Sequence, residues 1–394
     1  MNQWPALERI FKALDKKNRL CWISGGAVRD ILLSRTPLDF DLTTDATEDE
    51  ILALFPQALL VGRQFGVYKI PLFGEIFDLT VFREEDQYVD GRRPVTIRGA
   101  PPDKDAQRRD FTLNALFWDL KQEALVDFVG GLADLEERTV RCVGLPAKRF
   151  DEDYLRVLRM IRFGYSLAFK IDPESYRAGL ERAQSLSRIS GERILAEILK
   201  LSETSARLKF YQDPLFISIM KHNDLSLKEV ELKIKKMEGS GPVEGLLVAD
   251  RILIELLYLL DFSLENIKRI QARLKIGNAA KKWLMKALEV YALIHSNVDY
   301  VSYCLLIDRS PDFLVMIHFF EALNLLEEKL VQQIVAAHEK FPQALLNASD
   351  ILHFVPAHTL SKVLVRAREW QIRNSISDRE TMVDFVKKNV LSDA

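Results

Sequence analysis

The residues best equipped for chemistry are two aspartates, Asp39 and Asp41, in the run TPLDFDLTTDA (36–46). Alternation predicts a strand with both carboxylates on one face and Leu38, Phe40 and Leu42 on the other. Two carboxylates that close raise one another's pKa unless a cation lies between them. A hard divalent metal resolves the repulsion, because Mg²⁺ takes one or two carboxylates together with substrate phosphates. The plainer alternative is a strand end turning into solvent. Thirteen residues before Asp39, the apolar run LCWIS (20–24) ends at Gly25-Gly26, and AVRDILLS follows with a helical pattern. Paired glycines at a strand-to-helix turn let backbone N–H groups approach a triphosphate, and the helix N-terminus adds its dipole.

Elements must hold these groups in place. LDFDL (38–42), FGVYKIPL (65–72) and EIFDLTVF (75–82) read as strands, the last two forming a hairpin about Phe73-Gly74. Thr47 and Glu50 make a capping box that opens the helix EDEILALF. Asp78, amid apolar neighbours in EIFDLTVF, is a candidate third metal carboxylate, or else the partner of Lys69 or Arg83. After residue 150 strand patterns give way to helical spacing, as in LRVLRMIRFGYSLAF and VADRILIELLYLL, with KKMEGSGPVEG (235–245) as a loop. The fold class expected is α+β, a mixed-sheet head followed by an all-helical remainder.

A chain of 394 residues exceeds one core and calls for several domains. Its 48% hydrophobic and 28% charged content is that of a globular protein. Cys21, Cys142 and Cys304 lie far apart and the six histidines are scattered, which argues against a zinc site and fits a reducing, cytoplasmic compartment. There is no signal-peptide pattern and no apolar run long enough for a membrane span, so a soluble chain is expected. With a net charge of −2, a nucleic-acid partner must be held by local patches. The densest lies between Glu265 and Lys286, where Lys268, Arg269, Arg273, Lys275, Lys281, Lys282 and Lys286 face a single acid. It reads as a phosphate track or as a solvated helix face.

Gly-Gly, a helix and a D-x-D strand resemble the nucleotidyltransferase superfamily that includes DNA polymerase β. The ordered motifs GGAVRD, LDFDLTTDA, DGRRP, RRDFTLNAL, DFVGGLADL, EDYLRVLRMIRF and ISGERILAEILKL extend that resemblance over residues 20 to about 202. They are similar to those of class II tRNA nucleotidyltransferases and bacterial poly(A) polymerases. The resemblance implies a polymerase β-like head (1–140), a helical neck that selects the nucleotide (141–215), and a body (216–290) and tail (291–394) that bind tRNA. It implies CTP and ATP as substrates at the tRNA 3′ end. It further implies a two-metal site on Asp39 and Asp41 using Mg²⁺ or Mn²⁺, with Gly25, Gly26 and Arg29 near the phosphates.

In RRDFTLNAL, the guanidinium groups of Arg108 and Arg109 match phosphate geometry. Asp110 and Asn114 stand one helical turn apart and suit a ribose; Asp110 is equally a helix cap with Phe111 and Leu113 packed inward. In DEDYLRVLR (151–159), Asp153 and Arg156 share a helical face with Arg159 a turn further on, forming an ion-pair ladder or a base-reading pair. Acceptor beside donor complements the amine and ring nitrogen of cytosine and adenine. The resemblance implies that Glu152, Asp153 and Arg156 act as a protein template. RISGERILAEILKL, with Arg193 and Glu197 one turn apart, reads as a bracing helix.

REEDQYVDGRRPVTIRGAPPDKDAQ (83–107) reads as a polar flexible loop. The resemblance places Asp90, Gly91, Arg92 and Arg93 in the element that CC-adding members lack. The tail departs from the family pattern at Ala348-Ser349 and Pro356-Ala357. CCA addition is the expected activity, with A-addition beside a CC-adding partner, or poly(A) synthesis, as alternatives. A non-enzymatic RNA-binding scaffold is opposed by the intact Asp39, Asp41, Arg109 and Asp110.

Overall fold

A computed structural model describes residues 4–61, 66–88, 94–296 and 298–390. The strands are β1 (Trp22–Ser24), β2 (Asp41–Thr44), β3 (Leu59–Leu60), β4 (Val67–Leu72), β5 (Glu75–Val81) and β6 (Arg83–Tyr88). They continue with β7 (Pro94–Gly99), β8 (Leu116–Asp119), β9 (Ala124–Asp127), β10 (Thr139–Val140) and β11 (Lys170–Ile171). The earlier helices are α1 (Trp4–Asp15), α2 (Gly26–Leu32), α3 (Glu48–Leu54), α4 (Pro102–Gln107), α5 (Gly131–Glu136), α6 (Pro146–Glu152) and α7 (Leu155–Leu167). After them come α8 (Pro173–Glu181), α9 (Gly191–Leu199), α10 (Thr204–Gln212), α11 (Pro214–His222), α12 (Val230–Met237), α13 (Val248–Leu260) and α14 (Leu264–Leu274). The chain closes with α15 (Asn278–Ile294), α16 (Tyr300–Arg309), α17 (Asp312–Ala322), α18 (Glu328–Lys340), α19 (Ala348–Ile351), α20 (Leu360–Arg373) and α21 (Arg379–Phe385). No helix among the described residues is long and apolar enough to cross a membrane.

The chain divides into two compact units. The first comprises Met1–Glu197 with Asp213–Asn223; the second comprises Ile198–Gln212 with Asp224–Ala394.

In the first unit a seven-stranded mixed sheet runs β3-β4-β5-β2-β1-β8-β9, with β2 and β5 parallel and the other pairs antiparallel. The hairpin at Phe73-Gly74 forms as its sequence predicts, both turn residues taking positive φ, 53° and 81°. The capping box of Thr47 and Glu50 closes the start of α3. Trp22 of β1 packs edge to face on Phe82, and Phe117 of β8 packs tilted against both. Strand β2 starts at Asp41, so Asp39 precedes the strand, and Leu38 is 93% exposed instead of joining Phe40 and Leu42 inside. The segment 83–107 is not a loop in its described part: β6 pairs with β7, and α4 follows with Pro at its first position. Asp90, Gly91, Arg92 and Arg93 lie outside the described residues. One late strand pair escaped the sequence pattern, the two-residue β10 and β11, too short to show alternation.

The second unit is helical. Helix α13 spans the predicted VADRILIELLYLL, and every residue from Asp250 to Leu260 is buried, as expected of a helix apolar on all sides. Its fully buried Glu255 accepts from Arg207 at 2.7 and 2.9 Å and from Arg251 at 2.8 Å, with the Tyr211 hydroxyl at 3.3 Å. Nearer the C-terminus a smaller core gathers Ile351, Val363 and Met382. There Asn347 and Asp350 form a capping box at Ala348-Ser349, and Asp350 also pairs with Arg379.

Candidate active site

Three adjacent strands set the charged groups in a row. β2 places Asp41 beside Asp78 of β5, and β4 places Lys69 on the other side of Asp78. On the opposite face of the same strands, Leu42, Leu79 and Tyr68 are buried, so parity delivers the charges to the open face. Lys69 Nζ donates to Asp78 Oδ1 at 2.7 Å, which realises the ion-pair reading of Asp78. Asp41 is pushed up to about 6. Desolvation is the largest cause, followed by the charges of Asp39 and Asp78, and Arg109 and Lys69 offset them only in part. Both Asp39 and Asp41 nonetheless keep exposure to solvent, through which a cation and a phosphate can enter. No trio of His, Cys, Asp and Glu among the described residues forms a metal cage by itself. A carboxylate pair completed by substrate oxygens is the donor set Mg²⁺ favours.

The glycine turn stands against this row. Gly25 has a φ of 70°, and a Cβ there would come within 3.1 Å of Arg109 Nη1. Glycine is therefore demanded twice, by backbone and by space. Arg29, on the first turns of α2, is buried and donates to Asn114 Oδ1 at 2.7 Å and Asp30 Oδ1 at 2.8 Å. Arg109 lies 4.6 Å over the Phe117 ring and donates to the Asn114 carbonyl at 3.2 Å.

Asp110 and Asn114 are not one turn of an α-helix. A single 3₁₀ turn, Thr112–Asn114, stands there because Phe111 bridges to Cys142 and Thr112 bonds Arg141 on one side, while β8 begins two residues after Asn114. The two still meet, Asn114 Nδ2 donating to Asp110 Oδ1 at 3.3 Å. Phe111 and Leu113 pack inward as expected. Arg159 grips Asp110 Oδ2 with Nε and Nη2 at 2.8 and 2.6 Å. Burial pushes that carboxyl up, but Arg159 and Arg156 outweigh it and bring Asp110 down to about 2.

The expected Asp153–Arg156 face is also corrected. DEDYLRVLR is two helices: α6 ends at Glu152, Asp153 is extended (φ −150°, ψ 106°), and α7 begins at Leu155. Asp153 stands before Tyr154, the N-cap of the new helix, and accepts from the Leu155 N–H at 3.1 Å in a local turn that aspartate favours over a helix interior. Its carboxylate pairs with Arg193 at 2.7 Å, not with Arg156. Arg156 instead donates to Glu152 at 2.6 Å and to the Arg108 carbonyl at 3.3 Å. Glu197 takes Arg162 at 2.7 Å and Arg159 at 3.6 Å, so Arg193 and Glu197 do not pair with each other and α9 braces α7 through both.

Three participants were not assigned to the site from the sequence. Asp105 is fully buried between Arg108 and Arg109, and Arg149 joins Glu152 at 2.6 Å while donating to the carbonyls of Gln107 and Arg108. Both carried a signal, the three- and four-residue spacing of opposite charges. Arg193 reaches Asp153 across forty positions, and no local pattern announces such a contact.

In the second unit, Arg269 pairs with Glu265 one turn away, Lys268, Lys275 and Lys282 are exposed, and Arg273 is half-buried. Lys281 and Lys282 line a cleft of about 640 Å³ with Lys286 and Arg309.

Residues 21–141 match the family model described as the poly A polymerase head domain. A CCA-adding enzyme of Streptococcus suis is 34% identical over 295 residues, 73% of this chain and 70% of that protein. Poly(A) polymerase I of Salmonella typhi is 34% identical over 233 residues, 54% of this chain and 50% of that one. The chain thus spans about half the length of several curated relatives it matches. A Bacillus stearothermophilus CCA-adding enzyme solved in complex with CTP shares the fold, with a TM-score of 0.74 at 21% identity, covering 100% of this chain and 99% of that one. A polymerase-type head on a helical remainder, with a carboxylate row facing a Gly-Gly turn, defines the class. The chain belongs to the family of CCA-adding enzymes and bacterial poly(A) polymerases.

Proposed function

We propose that this chain is a template-independent nucleotidyltransferase that adds CCA to tRNA 3′ ends from CTP and ATP. The observation that carries the reading is the carboxylate pair Asp39 and Asp41 beside the Gly25-Gly26 turn and Arg109, with Asp41 raised to about 6 by desolvation and by the charges of Asp39 and Asp78. Asp39 and Asp41 would hold Mg²⁺, or Mn²⁺, with Asp78 nearby. Such metals, when bound, activate the attacking 3′-hydroxyl and stabilise departing pyrophosphate. Arg109 holds phosphate oxygens, the glycine turn lets backbone N–H groups approach them, and Asp110 and Asn114 wall the sugar. Glu152, Asp153, Arg156 and Arg159 shape the base pocket, Asp153 and Arg156 each from a fixed separate partner. The division of labour follows the segments 1–140 for chemistry, 141–215 for selection, and 216–290 and 291–394 for tRNA. Lys268, Arg269, Arg273, Lys275, Lys281 and Lys282 serve that last role in the cytoplasm.

The Salmonella relative supports a second reading, poly(A) synthesis. The deciding experiment offers purified protein three tRNAs ending before, within and after CC, with labelled CTP and ATP separately and together. Two C and one A on the shortest tRNA are expected. A alone, added only to tRNA ending in CC, overturns CCA addition in favour of A-addition. An unbounded A ladder favours poly(A) synthesis.

A further inference from the structure

We propose that Asp105 is the positioning residue that turns Arg108 and Arg109 into one paired receptor for the triphosphate. The inference rests on the reading of this site as one that binds a nucleoside triphosphate.

Asp105 is a carboxylate with no exposed surface, which is costly in a protein interior unless its charge is matched and its oxygens are bonded. Both conditions are met by a division of labour between its oxygens. Oδ1 accepts from Nε and Nη2 of Arg108 at 2.8 and 2.6 Å, and Oδ2 accepts from Nε and Nη2 of Arg109 at 3.2 and 3.0 Å. Oδ1 also takes the backbone N–H of Arg83, at the start of β6, at 3.3 Å. Two adjacent guanidinium groups repel, and the shared carboxylate lets them stand together.

Each arginine is gripped by the same edge, so each planar group is fixed in orientation. For Arg109 the remaining degrees of freedom are closed as well. The Phe117 ring lies beneath it at 4.6 Å, the Asn114 carbonyl takes one Nη1 hydrogen at 3.2 Å, and the Gly25 turn abuts Nη1. Three of its five N–H groups are thereby engaged, two by Asp105 and one by Asn114. The two left over suit a two-pronged hold on phosphate oxygens.

The test titrates the full chain by calorimetry with CTP, ATP and inorganic tripolyphosphate, each with Mg²⁺, and follows thermal melting alongside. Asp105→Asn is expected to weaken all three ligands alike, by about tenfold, because a mobile guanidinium loses its orientation before binding. Asp105→Glu should recover binding to within about threefold, as its charge still bridges the pair. In an Arg108→Ala, Arg109→Ala background Asp105→Asn should add little, since Asp105 acts through those two arginines. Binding that stays at the wild-type level in Asp105→Asn while melting falls overturns the proposal, as does a loss confined to one base. If Asp105→Asn does not fold, Arg109→Lys decides: it keeps the charge and loses the two-pronged grip, and wild-type affinity for tripolyphosphate overturns the proposal. Tripolyphosphate carries no base, sugar or acceptor. A chain whose tripolyphosphate binding depends on Asp105 but which adds no nucleotide refutes the function and leaves this inference standing. A CCA-adding chain indifferent to Asp105→Asn does the reverse.

Discussion

At the scale of single residues, charge without a partner marks the site and charge with a partner frames it. Asp41 is raised by desolvation and then by its acidic neighbours, whereas Arg159 and Arg156 outweigh the burial of Asp110 and lower it to about 2. Asp39→Ala and Asp41→Ala should each abolish incorporation of C and A while tRNA affinity stays at the wild-type level, since removing acids does not weaken phosphate contacts. A filter-binding assay beside a primer-extension gel reads both, and a tenth of wild-type activity surviving in both variants would refute the metal role. Asp110 gives a pH prediction whose sign is fixed by linkage. Its folded pKa lies below the ordinary carboxylate value of 3.8, so its contribution is present above about pH 4 and is lost as pH falls towards 2. Asp110→Asn should cost about 2 kcal/mol at pH 6 and progressively less below pH 4, checked by urea denaturation across that range. The carboxylate pair, the glycine turn and the arginines were legible in the sequence because each is a local pattern of residue types. Their partners were not, since Arg159 finds Asp110 across forty-nine positions and Arg29 finds Asn114 across eighty-five.

At the scale of elements, the break at Asp153 is the informative departure from expectation. Helical spacing from Leu155 onward is visible in the sequence, but an aspartate fits a helix or the turn before one and leaves the boundary open, and here Asp153 sits in the turn with its carboxylate on Arg193 of α9. Under the proposed function, Arg193 then joins Asp153 in selecting the base. Arg193→Ala and Asp153→Ala should relax discrimination against UTP and GTP to the same degree, and the double variant should do no more than either. Misincorporation ratios measure this; additive losses would mean the pair is not a unit. The β6–β7 hairpin was read as a loop because β6 is polar throughout and the alternation of β7 covers only Val95 to Arg98 amid glycine and proline. Shortening 86–98 should spare CTP addition and cripple the terminal AMP step, since reshaping a pocket from pyrimidine to purine needs a movable element. Gel-resolved extension of tRNA lacking CCA decides it, equal losses at C and A pointing to general catalysis.

At the scale of the whole molecule, the two units are held by different means. The first closes around a sheet with an aromatic core, and the second around α13, whose fully buried Glu255 pairs with Arg207 and Arg251. Removing Glu255 strands two buried cations, so Glu255→Ala should cost about 3–5 kcal/mol, visible as lost hydrogen-exchange protection in Val248–Leu260. The first unit is also discontinuous: α11 belongs to it, although α10 before it belongs to the second. Asp213 accepts the hydroxyls of Tyr165 and Tyr176 at 2.8 and 2.9 Å, and Leu215, Phe216, Ile219 and Met220 of α11 are buried. Order of synthesis thereby becomes a constraint. As the chain leaves the ribosome, residues 1–197 present every catalytic side chain named above, yet the unit that must hold them lacks its last helix until residue 223 has emerged. A nascent chain arrested before α11 should be protease-sensitive around α7 and α8, and one arrested beyond it, with exit-tunnel length allowed for, should be resistant. The catalytic half of the molecule thus finishes folding only after part of the other half has been made.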